Sequence, residues 1–520
     1  MTDIDIPQSV KHLPPGAVVG AGDIVEAAGH PVGGGLIKPG YDPRLTNEDL
    51  APLKDQHWTS YNIFAFWMSD VHSVGGYVTA GSLFALGLTS WQVFVSLIVG
   101  IVIVQFFCNL VAKPSQVAAV PYPVISRASF GVLGANIPAI IRGLIAVAWY
   151  GVQTFLAAGS LTIVILKLWP GLVDYADKTQ HGFLGLSLVG YVSFAILWVA
   201  QALVFWRGME AIRRFIDFCG PAVYVAMFIL CGYMLVRADF DISFTLTDEK
   251  LSTSATISTM LGAIALVVSY FSGPMLNFGD FSRYGKSFEA VKRGNLLGLP
   301  VNFVVFSLLV VLTASATIPV FGEIITDPVH TVERIDTYTA VLLGGLTFVI
   351  ATIGINIVAN FISPAFDFSN VAPQRISWRM GGMIAAVGSV LLTPWNWYDD
   401  PDAIFWTLGI LGALIGPLFG ILIADYYIVR KQQVVVDDLF TLDEDGQYYY
   451  RKGYNPAAVA AVIFSGVVAV LSVVLPKELD VITWLPDYSW FLGCALGFAT
   501  YYAAAHRLDV AGIRTGAAAS

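Results

Sequence analysis

Charge is what this 520-residue sequence has least of: 12% of its residues are charged and 56% are hydrophobic, whereas water-soluble domains carry about 25% charged residues. So few charges cannot cover a water-facing surface, and the solvent must be largely lipid. Cysteine is also scarce. Cys108, Cys219, Cys231 and Cys494 all lie in apolar runs without CxxC or ligand spacing, which reads as small buried hydrophobes, with no disulfide framework and no metal centre. Basic clusters are missing, so no nucleic-acid partner is expected. The formal charge of -9 comes from acidic residues in the tails and in polar loops such as Asp399, Asp400 and Asp402. No short apolar stretch follows Met1, so no cleavable signal peptide is expected. GxxxxGK[ST], HExxH and GxSxG are all absent, which leaves an ATP-driven pump or a membrane enzyme without its chemistry. No cofactor and no enzymatic activity are expected.

What the sequence does have is long unbroken apolar runs. Trp91 to Ala112 alone supplies the roughly twenty residues that span hydrocarbon. Reading such runs against polar punctuation gives spans at 58–80, 90–112, 136–166, 184–206, 216–236, 256–278, 296–320, 337–362, 378–395, 404–428, 455–475 and 487–505. The fold class is therefore an all-α integral membrane protein of about twelve transmembrane helices. Arg207, Arg213, Arg214, Lys292, Arg293, Arg375, Arg379, Arg430 and Lys431 all fall in loops on one side. The positive-inside rule then favours both termini in the cytoplasm, and a plasma (inner) membrane is the expected location.

Glycine and proline punctuate two of these spans. Gly75-Gly76 lies in the first and Gly273-Pro274 in the sixth, five spans later. Paired interruptions at corresponding places in two halves point to an inverted-repeat transporter, whose sites use the backbone groups freed by broken helices. Taken singly, either break is also what ordinary membrane helices contain.

Several stretches carry a resemblance: LTNEDLAPL at 45–53, WYGVQTFLA at 149–157, GMEAIRRF at 208–215, NFGDFSRYG at 277–285, NIVANFISPAFD at 356–367 and GPLFGILIADYYIVRK at 416–431. From about Leu45 to Arg507 the chain resembles the nucleobase:cation symporter family 1, and within it the allantoin permease branch. Members of that family carry cytosine, uracil, purines, allantoin, hydantoins and some vitamins. The resemblance implies ten helices in two inverted repeats of five, with helices 1 and 6 broken, plus two peripheral helices. The expected division is a flexible cytoplasmic tail over 1–56, repeats over 57–236 and 237–430, a cytoplasmic loop over 431–454, helices 11 and 12 over 455–506 and a C-terminal tail over 507–520.

The resemblance also implies a substrate site. In the family, the Trp and Gln of the third-helix motif and the Asn of the eighth-helix motif bind substrate, and these fall here on Trp149, Gln153 and Asn360. The chemistry agrees. Residues four apart share a helix face, so the Trp149 indole can stack on a planar heterocycle while the Gln153 amide reads its edge. Asn360 offers a second such edge reader. For the other ring face the sixth helix presents Phe271, which would sandwich the ligand against Trp149, or Tyr270 if the register slips by one.

For the coupling ion the chain departs from the family. Sodium-coupled members use two adjacent hydroxyl side chains on helix eight, and the aligned residues here are Gly354 and Ile355, which carry no side-chain oxygen. A proton is therefore the expected coupling ion, with sodium disfavoured. Asp70 and His72 sit in the first span, and His72 is the only one of seven histidines inside any span. An Asp at helix centre costs roughly 2.5–3.5 kcal/mol on insertion scales, a burden usually retained for function. His72 either exchanges a proton, with Asp70 tuning or relaying it, or rests neutral against a carbonyl freed by the break. Two residues apart, they point to different faces of a regular helix. Asp280, Arg283 and Asp425 read as helix-end charges and interhelical ion pairs at the interface, and Arg142 as a side chain that snorkels. A monomer importing a small heterocycle through the bilayer is expected. The alternatives are a passive facilitator or channel for the same ligands and a membrane enzyme.

Overall fold

A computed structural model describes residues 25–26, 35–72, 74–242, 251–396, 401–479, 481–482 and 484–507. Residues 508–520 of the expected C-terminal tail and the acidic loop at Asp399 and Asp400 lie outside these residues. The chain runs through α1 (Ser60–Val71), α2 (Val74–Ser82), α3 (Ser90–Ala118), α4 (Asn136–Leu168), α5 (Leu188–Trp206) and α6 (Met209–Arg237). It continues through α7 (Thr253–Leu276), α8 (Phe288–Phe321), α9 (Tyr338–Val371), α10 (Trp378–Leu391), α11 (Pro401–Ile423), α12 (Pro456–Leu479) and α13 (Ser489–Arg507). Helix starts are set by hydroxyl caps: Ser187 accepts from Gly190 N, Ser252 from Ala255 N, Thr337 from Ala340 N and Ser377 from Met380 N. Each cap satisfies an N–H that the first turn leaves without an intrahelical partner.

Among the described residues nine helices are long and apolar enough to cross a membrane. They are α3 to α9, α11 and α12, and each coincides with an expected span. The other three expected spans fall on α1 with α2, on the 14-residue α10 and on α13. Large apolar side chains such as Trp91, Phe106, Phe228, Leu343 and Ile463 stand exposed on the outside, as a lipid-facing surface requires. Inside, α4 packs along α9, α3 along α7, and α11 along both α12 and α13.

The helix breaks differ in place from the expectation. The first span is interrupted after Val71, where His72 leaves helical geometry, and resumes at Val74, so that Gly75-Gly76 lies inside α2. What Gly75 provides is a close approach: a Cβ there would sit 2.7 Å from Gln153 Nε2. The sixth span runs helically through Gly273-Pro274 to Leu276 and is interrupted at Asn277 and Phe278, before the short turn of helix Gly279–Ser282. Pro274 is accommodated because a missing N–H in a late turn costs one bond without forcing the chain to stop.

Three further irregularities were not legible as breaks. Val358–Ile362 in α9, Leu297–Val301 in α8 and Ala424–Val429 after α11 are wide π-type turns. Proline explains the first: Pro364 has no N–H for the carbonyl of Asn360, so the regular ladder fails one turn earlier.

The segment expected as a flexible tail up to residue 56 is instead packed from residue 35 onward. Leu45, Leu50 and Ala51 are buried. Asp42 N donates to Phe440 O at 2.8 Å, and the Lys38 ammonium pairs with Asp437 at 2.8 Å. Burial, with the Asp437 carboxylate beside it, pushes the Tyr41 hydroxyl well above its ordinary range. Residues 35–58 and 431–455 thus form one cap. Three buried guanidinium groups fasten it: Arg127 donates to Leu45 O, Leu439 O and Asn370 Oδ1 at 2.7–2.9 Å. Arg283 donates to Asp49 O and Ala51 O, and Arg430 to Ala128 O and to Asp425.

Candidate functional site

A cavity of about 460 Å³, counting its open mouth, lies between α1, α4, α7, α9 and α11. Its walls bring together residues from four separate stretches of sequence: Asp70, Trp149 and Gln153, Tyr270, and Asn360. Trp149 and Gln153 do share one face of α4. The Gln153 amide is buried against the α2 backbone at Gly75, and its Oε1 accepts no hydrogen bond among the described residues. An acceptor left open in a buried wall is available to a ligand donor, because burying it unsatisfied costs about 1–3 kcal/mol.

Asn360 lies in the π turn of α9. Its Nδ2 donates to Asn356 Oδ1 at 3.0 Å. Asn356 in turn donates to Tyr150 O, to Thr154 Oγ1 and to Gln201 Oε1 at 2.7–3.1 Å. This polar chain crosses α9, α4 and α5 and fixes the Asn360 rotamer. Sequence reasoning missed Asn356, although its four-residue spacing before Asn360 puts both on one helix face and was a usable signal.

The aromatic pair is Trp149 with Tyr270, ring centroids 5.8 Å apart and inclined at 82°. Phe271 stands apart from this pair: its ring packs edge-on against Phe303 at 5.6 Å, and it is not among the residues that line the cavity. The register slips by one, because the face of α7 that meets α4 carries position 270. In this conformation the two cavity rings meet edge to face, so no parallel sandwich is formed.

Asp70 and His72 point apart, as their spacing requires. Asp70 is buried in the cavity wall, and neither carboxylate oxygen has a hydrogen-bond partner among the described residues. His72 lies outside the cavity. Its Nδ1 is 2.9 Å from the Tyr77 hydroxyl, and its ring is 4.1 Å from that of Tyr224 and 5.3 Å from that of Phe306. Ile355 lines the cavity, while a Cβ on Gly354 would lie 3.9 Å from Ser69 Oγ.

Arg142 is a correction. Rather than snorkelling, it is 1% exposed and lines the cavity, its Nε donating to Gly273 O at 3.3 Å and its Nη2 to Ala359 O at 3.1 Å. Those carbonyls belong to α7 beside Pro274 and to the π turn of α9, so the guanidinium ties that turn to α7. Asp425 pairs with Arg430 at 2.7 Å and accepts from Ser129 and Tyr501. It stays clear of this cavity, as do Asp280 and Arg283.

Residues 51–493 match the family described as permease for cytosine/purines, uracil, thiamine, allantoin. The allantoin permease of Bacillus subtilis (strain 168) is 33% identical over 461 residues, 88% of this chain and 92% of that one. The purine-uracil permease NCS1 of Arabidopsis thaliana is 30% identical over 442 residues, 84% and 73% of the two chains. Among solved structures, Mhp1, a nucleobase-cation-symport-1 family transporter in a closed conformation with bromovinylhydantoin bound, superposes with a TM-score of 0.73 at 21% identity, over 89% of this chain and 96% of that one. An inward-facing conformation of Mhp1 gives 0.69. At this identity the likeness establishes a shared fold.

Proposed function

Because the chain belongs to the permease family for cytosine/purines, uracil, thiamine and allantoin, we propose that it imports a planar heterocycle with an amide or ureide edge, in the allantoin and hydantoin class, by proton symport. The protein is a multi-pass membrane transporter of nucleobase-like compounds, not an enzyme. The observation that carries the finer reading is the open Gln153 acceptor beside Trp149, Tyr270 and Asn360 in one buried cavity. A ring lies against the aromatic edges while its N–H donates to Gln153 and its carbonyl meets the Asn360 side. Cytosine, uracil and purines present the same kind of edge and are the competing ligands.

The proton reading rests on Asp70, which faces the same cavity with both oxygens open, and on the lack of side-chain oxygen at Gly354 and Ile355. His72, packed between tyrosines, is the second titratable candidate in the broken first span. The protein works as a monomer by alternating access of two inverted repeats, with both termini in the cytoplasm.

The test is binding of allantoin, hydantoins, cytosine, uracil and purines to purified protein, followed by accumulation of labelled ligand in proteoliposomes. Sodium or choline is placed outside, each with and without an inward pH gradient. Equal accumulation in choline, abolished by a protonophore, supports proton symport. Steep sodium dependence at constant pH defeats it, and equilibration without accumulation makes the protein a facilitator.

A further inference from the structure

Two of the motif segments end in roles that the substrate site does not absorb. NFGDFSRYG carries Asp280 and NIVANFISPAFD closes on Asp367. They are far apart in sequence, yet both are fully buried and meet across a single amide. Asn277 Nδ2 donates to Asp280 Oδ2 at 3.2 Å and to Asp367 Oδ2 at 3.3 Å. Two carboxylates within reach of one NH₂ group, away from water, repel each other strongly if both are ionised.

The hydrogen bonds divide the pair unequally. Asp280 also accepts from the Tyr122 backbone N–H at 2.8 Å, so both its oxygens are engaged as an anion's are. Asp367 Oδ1 has no partner among the described residues, and neither has the carbonyl oxygen Asn277 Oδ1. A proton on Asp367 removes the charge from a carboxylate that has one weak contact, at 3.3 Å, and one oxygen without a partner among the described residues. The other titratable groups facing the pair are the Tyr122 and Tyr284 hydroxyls, both without a partner among the described residues, and the guanidinium groups of Arg142 and Arg283. Arg283 is committed to the carbonyls of Asp49 and Ala51. Arg142 stands between the pair and the substrate cavity, and interacts electrostatically with Asp367, Asp280 and Asp70 together.

We propose that Asp280 and Asp367 form a buried acid pair that holds one proton, carried on Asp367, and that this proton is coupled through Arg142 to the substrate cavity. The proton comes from water on one side of the membrane and returns to water on the other, with no bond broken except that to the carboxylate oxygen. With the proton bound, Arg142 balances one neighbouring anion fewer and its field falls more on Asp70. The inference deepens the symport reading and rests on it for the transport consequence, but the proton on the pair can be observed without transport.

The experiment is infrared difference spectroscopy of the full-length purified protein during a pH titration, reading the C=O band of a buried carboxylic acid. The expected result is a titrating band in the wild type that disappears in Asp367→Asn and moves to lower pH in Asp280→Asn, since without its neighbour's charge Asp367 gives up the proton more readily. Asp367→Glu keeps the acid and shifts the band, which covers the case in which an asparagine variant fails to fold. An unchanged band in every variant that folds overturns the proposal. In proteoliposomes, one proton per substrate gives about tenfold accumulation for each pH unit of gradient. Asp367→Asn is expected to abolish it, and full accumulation by that variant also overturns the proposal. If the wild type shows no accumulation driven by pH, the symport reading fails, and the infrared band still decides whether the pair holds a proton.

Discussion

The cap and the cavity are both buried and both polar, yet they engage their polar groups to different degrees: among the described residues each cap guanidinium leaves one nitrogen open, Arg127 Nε, Arg283 Nε and Arg430 Nη1, and is otherwise bonded. In the cap, Arg127, Arg283 and Arg430 each donate to at least two oxygens, most of them backbone carbonyls of segments distant in sequence. In the cavity, Asp70 has two open oxygens and Gln153 one. A buried group with partners holds elements in register. A buried group without them is a standing cost of about 1–3 kcal/mol, which a ligand or a proton relieves. The contrast separates residues that fold the molecule from residues that await something.

The comparison breaks most visibly if one of the guanidinium groups that fasten the cap loses its partner. Asp425→Asn leaves the Arg430 guanidinium buried without its counter-charge, and removing one partner of a buried pair costs about 3–5 kcal/mol. Thermal unfolding of the detergent-purified protein should shift down by many degrees, while the dissociation constant of the folded fraction stays as in the wild type. A weakened ligand with unchanged thermal stability would put Asp425 on the wrong side of the division.

Gln153→Leu tests the other side. Affinity should fall roughly five- to a hundredfold, the effect of about 1–3 kcal/mol for a ligand edge left unpaired, and the ligand-free protein should melt no lower than the wild type. Wild-type binding by this variant would remove Gln153 from the site. Gly75→Ala probes the same amide indirectly. Its Cβ would meet Gln153 Nε2 at 2.7 Å, so the amide must shift, and overpacking of about 1–3 kcal/mol should appear as lost affinity in isothermal titration. The smallest effect is expected for Phe271→Leu. It trades one core hydrophobe for another against Phe303 at a cost of less than about 1.5 kcal/mol, and should leave ligand binding untouched, whereas Tyr270→Leu should weaken it. Equal effects of the two would restore Phe271 to the cavity.

Most of the helices could be read from apolar run length, because a span of hydrocarbon imposes a length that few other structures need. The cavity residues Trp149, Gln153 and Asn360 came from motif likeness, and their shared faces followed from helical period. What stayed hidden depended on contacts between distant segments. Arg142 was read as snorkelling, since nothing local says that the carbonyls of Gly273 and Ala359 will converge on it. The one-residue difference between Tyr270 and Phe271 depends on how α7 is rotated against α4, which Gly-Pro punctuation does not fix. Polar composition in residues 35–56 looked like a loose tail, because the buried Leu45 and Leu50 are too few to signal packing without their partners in view.

Those partners lie at the far end of the chain: Lys38 and Asp437 are 399 residues apart. At roughly 5–20 residues per second, a ribosome needs on the order of 20–80 s to make the second after the first. During that interval the start of the polypeptide waits beside a growing set of helices, with its docking place not yet synthesised. Only a chain translated beyond residue 437 can close this contact, so the cap records that every helix from α1 to α11 has been made.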